Sequence, residues 1–539
     1  MIPNVDALRD TNWDIVVVGT GMGGAAAGYA LARAGKSVLF IEKGFARSSR
    51  SLTGAYAETF FDSEVIPGMQ HRRVLAAAGR EWCPLEDISG NRAKSFIPFV
   101  GSGAGGSSAL YGMALERFFP SDLAPRQYFP DVPLTTLPER WPIAYEELVP
   151  YYAEAEALFG VRGTQDPLRT AAASALEPPP LTLAGEELFG SLQNRGLHPY
   201  RLPIACEFVT ECASCQGYVC PYPCKNDSAR VCLDPAVRDH GSLLLDGCEV
   251  DHLQATSERV TALECIRDQQ RFSVRGRIVI LAAGALATPA VLLRSASPTW
   301  PEGIANRSGL VGRNLMRHLI DLHAIRPNTR EPSDNRRKEL AFSDFYVHDG
   351  IKLGSVQSFG RLPPDALIAA HLQADIGETA GSWAASAFRL ARPLVMRALK
   401  PIIERDLVLA GMIEDLPYVD NRVTLTPARG IRIRYQLRAE AVRRVKLQRS
   451  LIADALRPYT VRLMKQAENN ERIAHACGTC RFGDDPQISV LDRDNRAHDL
   501  ENLYIVDSSF FPSSAGTNPA LTIAANALRV AKGILQTWR

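Results

Sequence analysis

The sequence predicts an α/β protein in which a parallel β-sheet is interleaved with a second, α+β unit that carries an antiparallel sheet. Three short apolar runs, far apart in the chain, have the composition of buried parallel strands: residues 14–18, 277–283 and 503–506. Residues 421–435 alternate apolar and polar side chains, which predicts an antiparallel hairpin, and a helix is predicted over 439–456. Because the parallel strands come from distant segments, the two units must interleave.

The composition is that of a globular protein with a large core. The chain has 539 residues, of which 46% are hydrophobic and 22% charged, enough for two to four structural units. Its formal net charge of +2 provides no overall basic field, which argues against a nucleic-acid partner. The sequence shows neither a secretory signal nor an apolar run of about 18 residues, so no transmembrane helix and a cytoplasmic location are expected.

The first strand leads directly into a glycine turn, Gly19-Thr20-Gly21-Met22-Gly23-Gly24, and then into a predicted helix over 25–34 and a strand over 36–41 that ends on Glu42. In such a unit, Gly19 permits the tight turn, Gly21 allows a pyrophosphate to approach the backbone, and Gly24 allows close helix–strand packing. The helix N-terminus attracts phosphate, and Glu42 is placed to accept a hydrogen bond from a ribose. This predicts a dinucleotide site, and its N-terminal position favours FAD over NAD.

A second glycine-rich segment covers residues 100–112, VGSGAGGSSALYG. Its many backbone N–H groups and small side chains are suited to wrapping a flat or anionic cofactor, and the alternative is a flexible linker. Residues 109–118, which follow, are predicted to be helical.

Two C-terminal segments carry the candidate catalytic chemistry, residues 473–483 and 507–524. His475 precedes a glycine turn that can present its side chain into a cavity. Imidazole, with an ordinary pKa near 6.5, suits a base that must accept a proton at neutral pH. Asn518 lies in a turn before a predicted helix and can donate a hydrogen bond to a substrate oxygen without carrying charge.

These segments together resemble the glucose–methanol–choline (GMC) oxidoreductases. The resemblance extends in family order over residues 13–535 and includes the first glycine turn, the loop 103–110, Gly284-Ala285, Gly312-Arg313-Asn314-Leu315, His475 with residues 478–481, and Asp507 with Asn518-Pro519. It implies a Rossmann-like FAD-binding domain interleaved with an α+β substrate domain, and oxidation of a small-molecule alcohol or sugar.

The resemblance also implies roles for individual residues. His475 matches the family's catalytic base, and Asn518 matches its second active-site residue. The cofactor-binding residues it implies are Gly19, Gly21, Met22, Gly23, Gly24, Glu42, Lys43, Gly105, Gly106, Ser107, Ser108, Leu110, Tyr111, Val250, Ala283, Gly284, Asp507, Ser508, Asn518 and Pro519. Tyr111 departs from the family, in which many members have asparagine, so covalent flavin attachment is unsupported.

The expected domain organisation alternates between the two units. The FAD domain is assigned 1–160 and 236–325, an insertion with a cysteine cluster 161–235, the substrate domain 326–470, and the returning catalytic segment 471–539. Two other functions are compatible with these motifs, a nicotinamide-dependent dehydrogenase and a non-catalytic flavin-binding electron carrier. Oxygen, a quinone and a haem protein all remain open as electron acceptors.

Four cysteines lie within thirteen residues: Cys212, Cys215, Cys220 and Cys224. Three interpretations compete, namely free or oxidisable thiols, an iron–sulfur cluster, and a zinc site. The resemblance adds that some dehydrogenases of the family hold a cluster in a comparable stretch. The spacing does not follow the regular ferredoxin pattern.

Residues 382–405, SWAASAFRLARPLVMRALKPIIER, combine apolar side chains with five basic ones. Such a segment can meet a membrane surface or a partner protein. The alternative is a lid or core helix over the substrate cavity, which residues 325–420 are expected to line. Pro393 and Pro401 are expected to break the segment into short helices.

Overall fold

A computed structural model describes residues 11–46, 52–60, 69–170, 175–210, 212, 214–329, 338–363, 368–369, 372–373, 376, 382–471 and 473–538. The α-helices in this part of the chain are α1 (Met22–Arg33), α2 (Met69–Ala77), α3 (Tyr145–Leu158), α4 (Leu183–Asn194), α5 (Asp234–His240), α6 (Ala287–Arg294), α7 (Ser382–Arg405), α8 (Ala439–Ala455) and α9 (Ala520–Gln536).

The strands are β1 (Asn12–Val18), β2 (Val38–Ile41), β3 (Leu85–Asp87), β4 (Lys94–Phe96), β5 (Val161–Arg162), β6 (Tyr200–Arg201), β7 (Ile204–Ala205), β8 (Leu243–Leu245), β9 (Cys248–Ala255), β10 (Val260–Arg267), β11 (Gln270–Leu281), β12 (Met316–Ile325), β13 (Leu340–Phe342), β14 (Val347–His348), β15 (Ile351–Lys352), β16 (Val356–Ser358), β17 (Leu407–Ile413), β18 (Arg422–Leu425), β19 (Ile431–Arg434), β20 (Arg462–Met464), β21 (Ala474–Cys477) and β22 (Leu503–Ile505).

The parallel sheet lies at the centre of the cofactor-binding unit. Its parallel strands follow the order β8-β2-β1-β11-β22, and β11 continues into an antiparallel extension with β10 and β9. Val17 of β1 lies beside Phe40 of β2 and Ile280 of β11, and all three side chains are fully buried. Strands covered on both faces become uniformly apolar, which is why these distant runs are recognisable in the sequence.

Glycines allow α1 to approach this sheet closely. A β-carbon on Gly24 would lie 2.2 Å from the carbonyl oxygen of Gly19 and 2.8 Å from the β-carbon of Ala282. On its other side α1 packs against α9, so the C-terminal helix completes the layer beside the sheet. The packing role predicted for Gly24 is therefore confirmed.

The second large sheet is antiparallel, with the order β20-β12-β17-β16-β13-β6, and β21 pairs with β12. The register of β12 and β21 places His318 opposite Ala474, next to His475. This pairing brings two segments that are distant in sequence side by side at the N-terminal end of β12.

The hairpin predicted at 421–435 is confirmed, because β18 and β19 pair antiparallel with Val423 opposite Ile433. It extends through β3 and β4 into a four-stranded sheet. The predicted amphipathic helix is α8.

Two local predictions are wrong. Residues 109–118 are not helical beyond a short 3₁₀ turn at Gly106–Ala109, because the chain adopts a left-handed conformation at Met113, with φ of 63°. Residues 382–405 form one continuous helix, α7, that includes Pro393 and Pro401. A proline removes its own N–H donor and crowds the preceding turn, but the remaining hydrogen bonds can carry the helix past it, usually with a kink.

Candidate active site

The glycine turn after β1 leaves open space at the N-terminus of α1. Gly21 caps this helix in an extended conformation without any side-chain cap, and a β-carbon added to it would meet nothing within 4 Å. At Gly23 the same addition would lie 2.1 Å from the carbonyl oxygen of Val506. Gly23 is thus required by packing, whereas Gly21 borders a space into which uncapped N–H groups of the helix are directed, which suits a phosphate.

The second glycine-rich loop folds onto the first. A β-carbon on Gly106, whose φ is 49°, would lie 3.0 Å from the α-carbon of Gly21. Ser108 Oγ donates to the carbonyl oxygen of Gly105 at 2.6 Å and accepts from Ser228 N at 3.0 Å, while Ser107 Oγ accepts from Gly101 N at 3.1 Å. The linker alternative is therefore excluded, because this loop is fixed against the nucleotide-type turn.

Glu42 joins the two loops. Its Oε2 accepts from Thr20 N at 3.0 Å and Thr20 Oγ1 at 2.8 Å. Its Oε1 accepts from Gly44 N at 3.0 Å and Gly103 N at 2.9 Å. The carboxylate is 6% exposed and holds four protein donors, so its observed role is to clamp the loops, and the ribose contact stays a prediction.

Asp507, which follows strand β22 of the parallel sheet, has a similar structural role. Its carboxylate accepts from Gly284 N at 2.9 Å, Thr288 Oγ1 at 2.5 Å and Ser509 N at 2.8 Å. Next to it, Ala283 N donates to Thr288 Oγ1, and Ser508 Oγ donates to the carbonyl oxygen of Ala476 at 2.7 Å. These bonds connect the ends of β11, β21 and β22.

The remaining predicted cofactor residues lie near the two glycine-rich segments or pack within the surrounding core. Tyr111 OH donates to the carbonyl oxygen of Asn226 at 2.5 Å, and Lys43 Nζ donates to Glu81 at 3.0 Å. Val250 is buried on β9, two residues after Cys248, whose N–H donates to the carbonyl oxygen of Glu42. The others are Met22, which begins α1, buried Leu110, and Pro519, which immediately precedes α9.

His475 contacts a second histidine that the sequence did not single out. His475 Nδ1 lies 2.9 Å from His318 Nδ1, and His318 Nε2 lies 3.0 Å from the carbonyl oxygen of Ser514. His318 is 1% exposed, whereas His475 is partly exposed. His475 adopts a left-handed backbone conformation with φ of 57°, a strained state that is frequent at functional positions.

The Ser514 carbonyl fixes the tautomers of both rings. A carbonyl can only accept, so His318 Nε2 carries the hydrogen, and in the neutral ring His318 Nδ1 is bare. His318 Nδ1 must then accept from the Nδ1–H of His475. The Nε2 atom of His475 then carries the lone pair, and no described residue donates a hydrogen bond to it, so it can accept a proton.

The surroundings keep this pair of rings neutral. Burial, then the neighbouring His318, then the charge of Lys338 hold the pKa of His475 well below 6.5. Burial also lowers the pKa of His318. A neutral imidazole with one free nitrogen can accept a proton at physiological pH.

Asn518 has a buried side-chain oxygen that no described protein group satisfies. The side chain is 8% exposed, and its Oδ1 is buried with no hydrogen-bond partner in the described part of the chain. A buried unpaired carbonyl costs about 1–3 kcal/mol, which a bound ligand that donates to it would recover. The same turn is anchored by Thr517 Oγ1, which donates to buried Glu116 at 3.2 Å.

Sequence reasoning missed three polar residues around this region. They are His318, Lys338 and Gln216. A β-carbon on Gly112 would lie 2.4 Å from Gln216 Oε1 and 2.6 Å from Lys338 Nζ, so both polar ends lie against the backbone after the second glycine loop. None of the three stands out in the sequence, because β12 carries Arg317, Asp321 and His323 as well as His318.

The cysteine cluster is arranged differently from the predicted set. The Sγ atoms of Cys206, Cys212 and Cys224 all lie within 4.8 Å of one another. Cys206 Sγ is 3.5 Å from Cys212 Sγ, and Cys220 Sγ is 3.3 Å from Cys224 Sγ. Cys206, which the predicted set did not include, thus joins Cys212 and Cys224, because β7 ends directly before it and places it beside the Cys212–Cys224 loop.

The residues present fit a dinucleotide cofactor. Three features are expected of a protein that binds one: the uncapped N-terminus of α1, the empty space beside Gly21 and beside Gly284, and the unpaired oxygen of Asn518.

In the described residues, no helix is both long enough and apolar enough to cross a bilayer.

Comparison with known proteins agrees with this arrangement. Two family models described as GMC oxidoreductase match residues 184–320 and 416–527, and one described as FAD binding domain matches residues 14–61. The 6'''-hydroxyparomomycin C oxidase of Streptomyces lividus is 30% identical over 97% of this chain and 92% of its own length. The paromamine 6'-oxidase of Streptomyces fradiae is also 30% identical, with the same coverage.

More distant relatives extend the comparison. The fructose dehydrogenase large subunit of Gluconobacter japonicus is 25% identical over 97% of each chain. The crystal structure of pyridoxine 4-oxidase from Mesorbium loti shares the fold, with a TM-score of 0.63 and 19% identity over 98% of this chain and 100% of that one. This chain belongs to the GMC oxidoreductase family, and it is an FAD-dependent enzyme that oxidises CH–OH groups.

Proposed function

We propose that His475 Nε2 is the general base that removes the hydroxyl proton of an alcohol or sugar substrate. The observation that carries this proposal is the hydrogen-bond chain from His475 Nδ1 through His318 to the Ser514 carbonyl. That chain fixes the ring orientation and leaves one bare nitrogen. FAD, when bound, supplies the acceptor for the hydride that leaves the carbinol carbon.

Asn518 is proposed to hold the substrate oxygen from the other side. Its carboxamide is neutral, so it can donate to an alkoxide-like oxygen or accept from a hydroxyl without changing charge. The buried Oδ1 is unpaired among the described residues, so this end of the carboxamide is available to a hydroxyl donor of the substrate, while Nδ2 is the group that donates to the oxygen that loses its proton.

A hydroxyl group of a sugar or aminosugar is the proposed site of oxidation. The names of the relatives support this class, since they include the oxidases of 6'''-hydroxyparomomycin C and of paromamine and a fructose dehydrogenase. Oxygen, a quinone and a haem protein are the acceptor classes to be compared.

Anaerobic stopped-flow reduction of the bound flavin tests the base. Sugars, aminosugars and simple alcohols are mixed with the yellow enzyme, and bleaching of the flavin absorbance is followed. His475→Ala is expected to slow bleaching by about 10²–10⁴-fold while retaining flavin. Bleaching at the wild-type rate would eliminate His475 as the base. Repeating turnover with oxygen, a quinone or cytochrome c identifies the acceptor.

A thiolate-ligated metal centre is proposed at Cys206, Cys212 and Cys224. The mutual proximity of three Sγ atoms supports it, with Cys220 next to Cys224 as a fourth thiol. Iron–sulfur and zinc centres both use such ligands. Iron, sulfide and zinc analysis of the purified enzyme distinguishes them, and a protein with no metal and all of these thiols titratable would return the site to free cysteines.

A further inference from the structure

Helix α7 presents an unusual outer surface. Trp383, Leu390 and Leu394 are 74%, 84% and 74% exposed, and Ala387 is exposed between them. Elsewhere among the described residues only Leu134 is a comparably exposed large apolar side chain, at 83%. An isolated exposed leucine is ordinary, but several on one helix indicate a binding surface.

These residues lie on one face of the helix. Their spacing of four, three and four residues follows the helical repeat, so they form a single apolar stripe along about three turns. Phe388 lies on a different face and is 9% exposed, which anchors the helix to the rest of the protein. The interpretation of α7 as a wholly buried core helix is therefore excluded.

The same helix is strongly basic. It carries five basic residues, and Glu404 is its single acidic one, in a chain whose overall net charge is only +2. Arg389 and Arg397 are exposed and Arg392 is partly exposed, and the described residues contain no ion pair to any of these three. The positive charge beside the apolar stripe is complementary to a partner that has an anionic surface and an apolar layer directly under it.

We propose that α7 docks the enzyme peripherally on an anionic phospholipid membrane. The apolar stripe would enter the boundary between headgroups and acyl chains, as interfacial amphipathic helices do. Trp383 suits that boundary, and the arginines can extend to lipid phosphates while their methylene stems stay against the apolar region. This proposal is independent of the catalytic assignment.

Vesicle sedimentation with the full-length holoenzyme tests the proposal. Vesicles of phosphatidylcholine with one-quarter phosphatidylglycerol are compared with vesicles of phosphatidylcholine alone. The wild type is expected to bind the anionic vesicles at least tenfold more strongly. Raising NaCl from about 0.05 to about 0.5 M should weaken this binding, because salt screens charge at the surface.

Two variants separate the apolar and electrostatic contributions. The double substitution Leu390→Glu with Leu394→Glu, and the triple substitution Arg389→Gln, Arg392→Gln and Arg397→Gln, should each reduce the partition coefficient at least tenfold. Leu134→Glu is the matched control for the first, since Leu134 is equally exposed elsewhere. The control for the triple arginine variant removes the same charge elsewhere, with the substitutions Arg92→Gln, Arg275→Gln and Arg457→Gln. Both controls should stay within twofold of the wild type.

Tryptophan fluorescence supplies a second readout. Anionic vesicles should shift the emission to shorter wavelength, and Trp383→Phe should abolish that shift. Absence of binding to anionic vesicles, or equal loss in the helix variants and their controls, would overturn the proposal. A concentration-dependent dimer in analytical ultracentrifugation that dissociates on Leu390→Glu would assign the face to a second copy of the chain instead.

Discussion

His475 and His318 share a hydrogen bond of 2.9 Å between their Nδ1 atoms, although 157 residues separate them in the chain. The register of β12 against β21 creates this contact, and the carbonyl of Ser514 gives it a direction. Together these contacts determine which nitrogen of His475 is available as a base. The antiparallel sheet of the substrate unit therefore positions the proposed base, His475, through its contact with His318.

Replacement of His318 tests this tautomer argument. His318→Phe removes the acceptor for the Nδ1–H of His475, so the ring can rotate or adopt the other tautomer, and the rate of flavin reduction should fall about 10²-fold or more. His318→Asn offers a carboxamide oxygen as acceptor and should recover part of the rate. Bound flavin should be unchanged in both variants.

The measurements are stopped-flow reduction and the pH dependence of kcat/KM. A purely structural role for His318 predicts that Phe and Asn have similar effects and that the pH profile is unchanged. Equal rates for the two variants would therefore contradict the positioning role.

Substitution by alanine should have different effects at Gly21 and at Gly23, lowering cofactor affinity at the first and protein stability at the second. Gly21→Ala adds a methyl group where the protein leaves space and where the φ of −66° is ordinary, so the fold should persist while FAD affinity falls at least tenfold. Gly23→Ala drives a β-carbon into the carbonyl oxygen of Val506 and should destabilise the protein itself.

Flavin absorbance after dialysis and urea-induced unfolding measure the two effects separately. Full retention of FAD in Gly21→Ala would show that the cofactor does not approach this backbone. A normal unfolding midpoint in Gly23→Ala would contradict the packing argument.

Lys338 should influence the pH dependence of catalysis. The ammonium group lowers the pKa of His475, while burial lowers the pKa of Lys338 itself to about 8. Because His475 must be neutral to act as a base, activity is lost as pH falls through its pKa. Lys338→Met removes the positive charge, so that pKa rises and the acid limb of kcat/KM should move to higher pH.

The wild-type acid limb is expected below pH 6.5, and the two enzymes should converge above pH 8, where Lys338 loses its charge. Exposed Lys446→Met serves as the control and should leave the limb in place. A downward shift in Lys338→Met would show that the lysine does not act on His475 through charge.

A buried ionic group supports the turn that carries Asn518. Lys352 Nζ lies 2.7 Å from Asp122 and 2.8 Å from Glu414, with all three side chains 0% exposed. Tyr346 OH donates to Asp122 and accepts from Gly516 N, which connects this group to the turn. Lys352→Met leaves two carboxylates without their cation and should lower the free energy of unfolding by about 3–5 kcal/mol.

Equilibrium urea unfolding measures that loss, with Lys446→Met expected within about 0.5 kcal/mol of the wild type. Loss of less than 1 kcal/mol in Lys352→Met would indicate that the carboxyl groups become protonated or reach solvent at little cost.

Features that depend only on neighbours along the chain could be predicted from the amino-acid sequence. The apolar run of β1, the glycine turn and α1 form a local unit, and glycine spacing is dictated by close contacts such as that between Gly24 and Gly19. The hairpin β18–β19 is local for the same reason. His475 and Asn518 stood out because each lies in a short recognisable segment.

Contacts between residues that are far apart in the chain could be identified only from the folded protein. The register of β12 and β21 places His318 next to His475. Glu42 holds the two glycine-rich loops together because the N–H of Gly103 lies within hydrogen-bond distance of it. Cys206, at the end of β7, lies close to Cys212 and Cys224. Helix α7 continues through two prolines, and the protein then leaves its apolar stripe uncovered. Hydrogen bonds and side-chain burial depend on which residues are close in space. The periodicity of a sequence predicts which residues share a face of one helix or strand, but it does not predict which elements pack together.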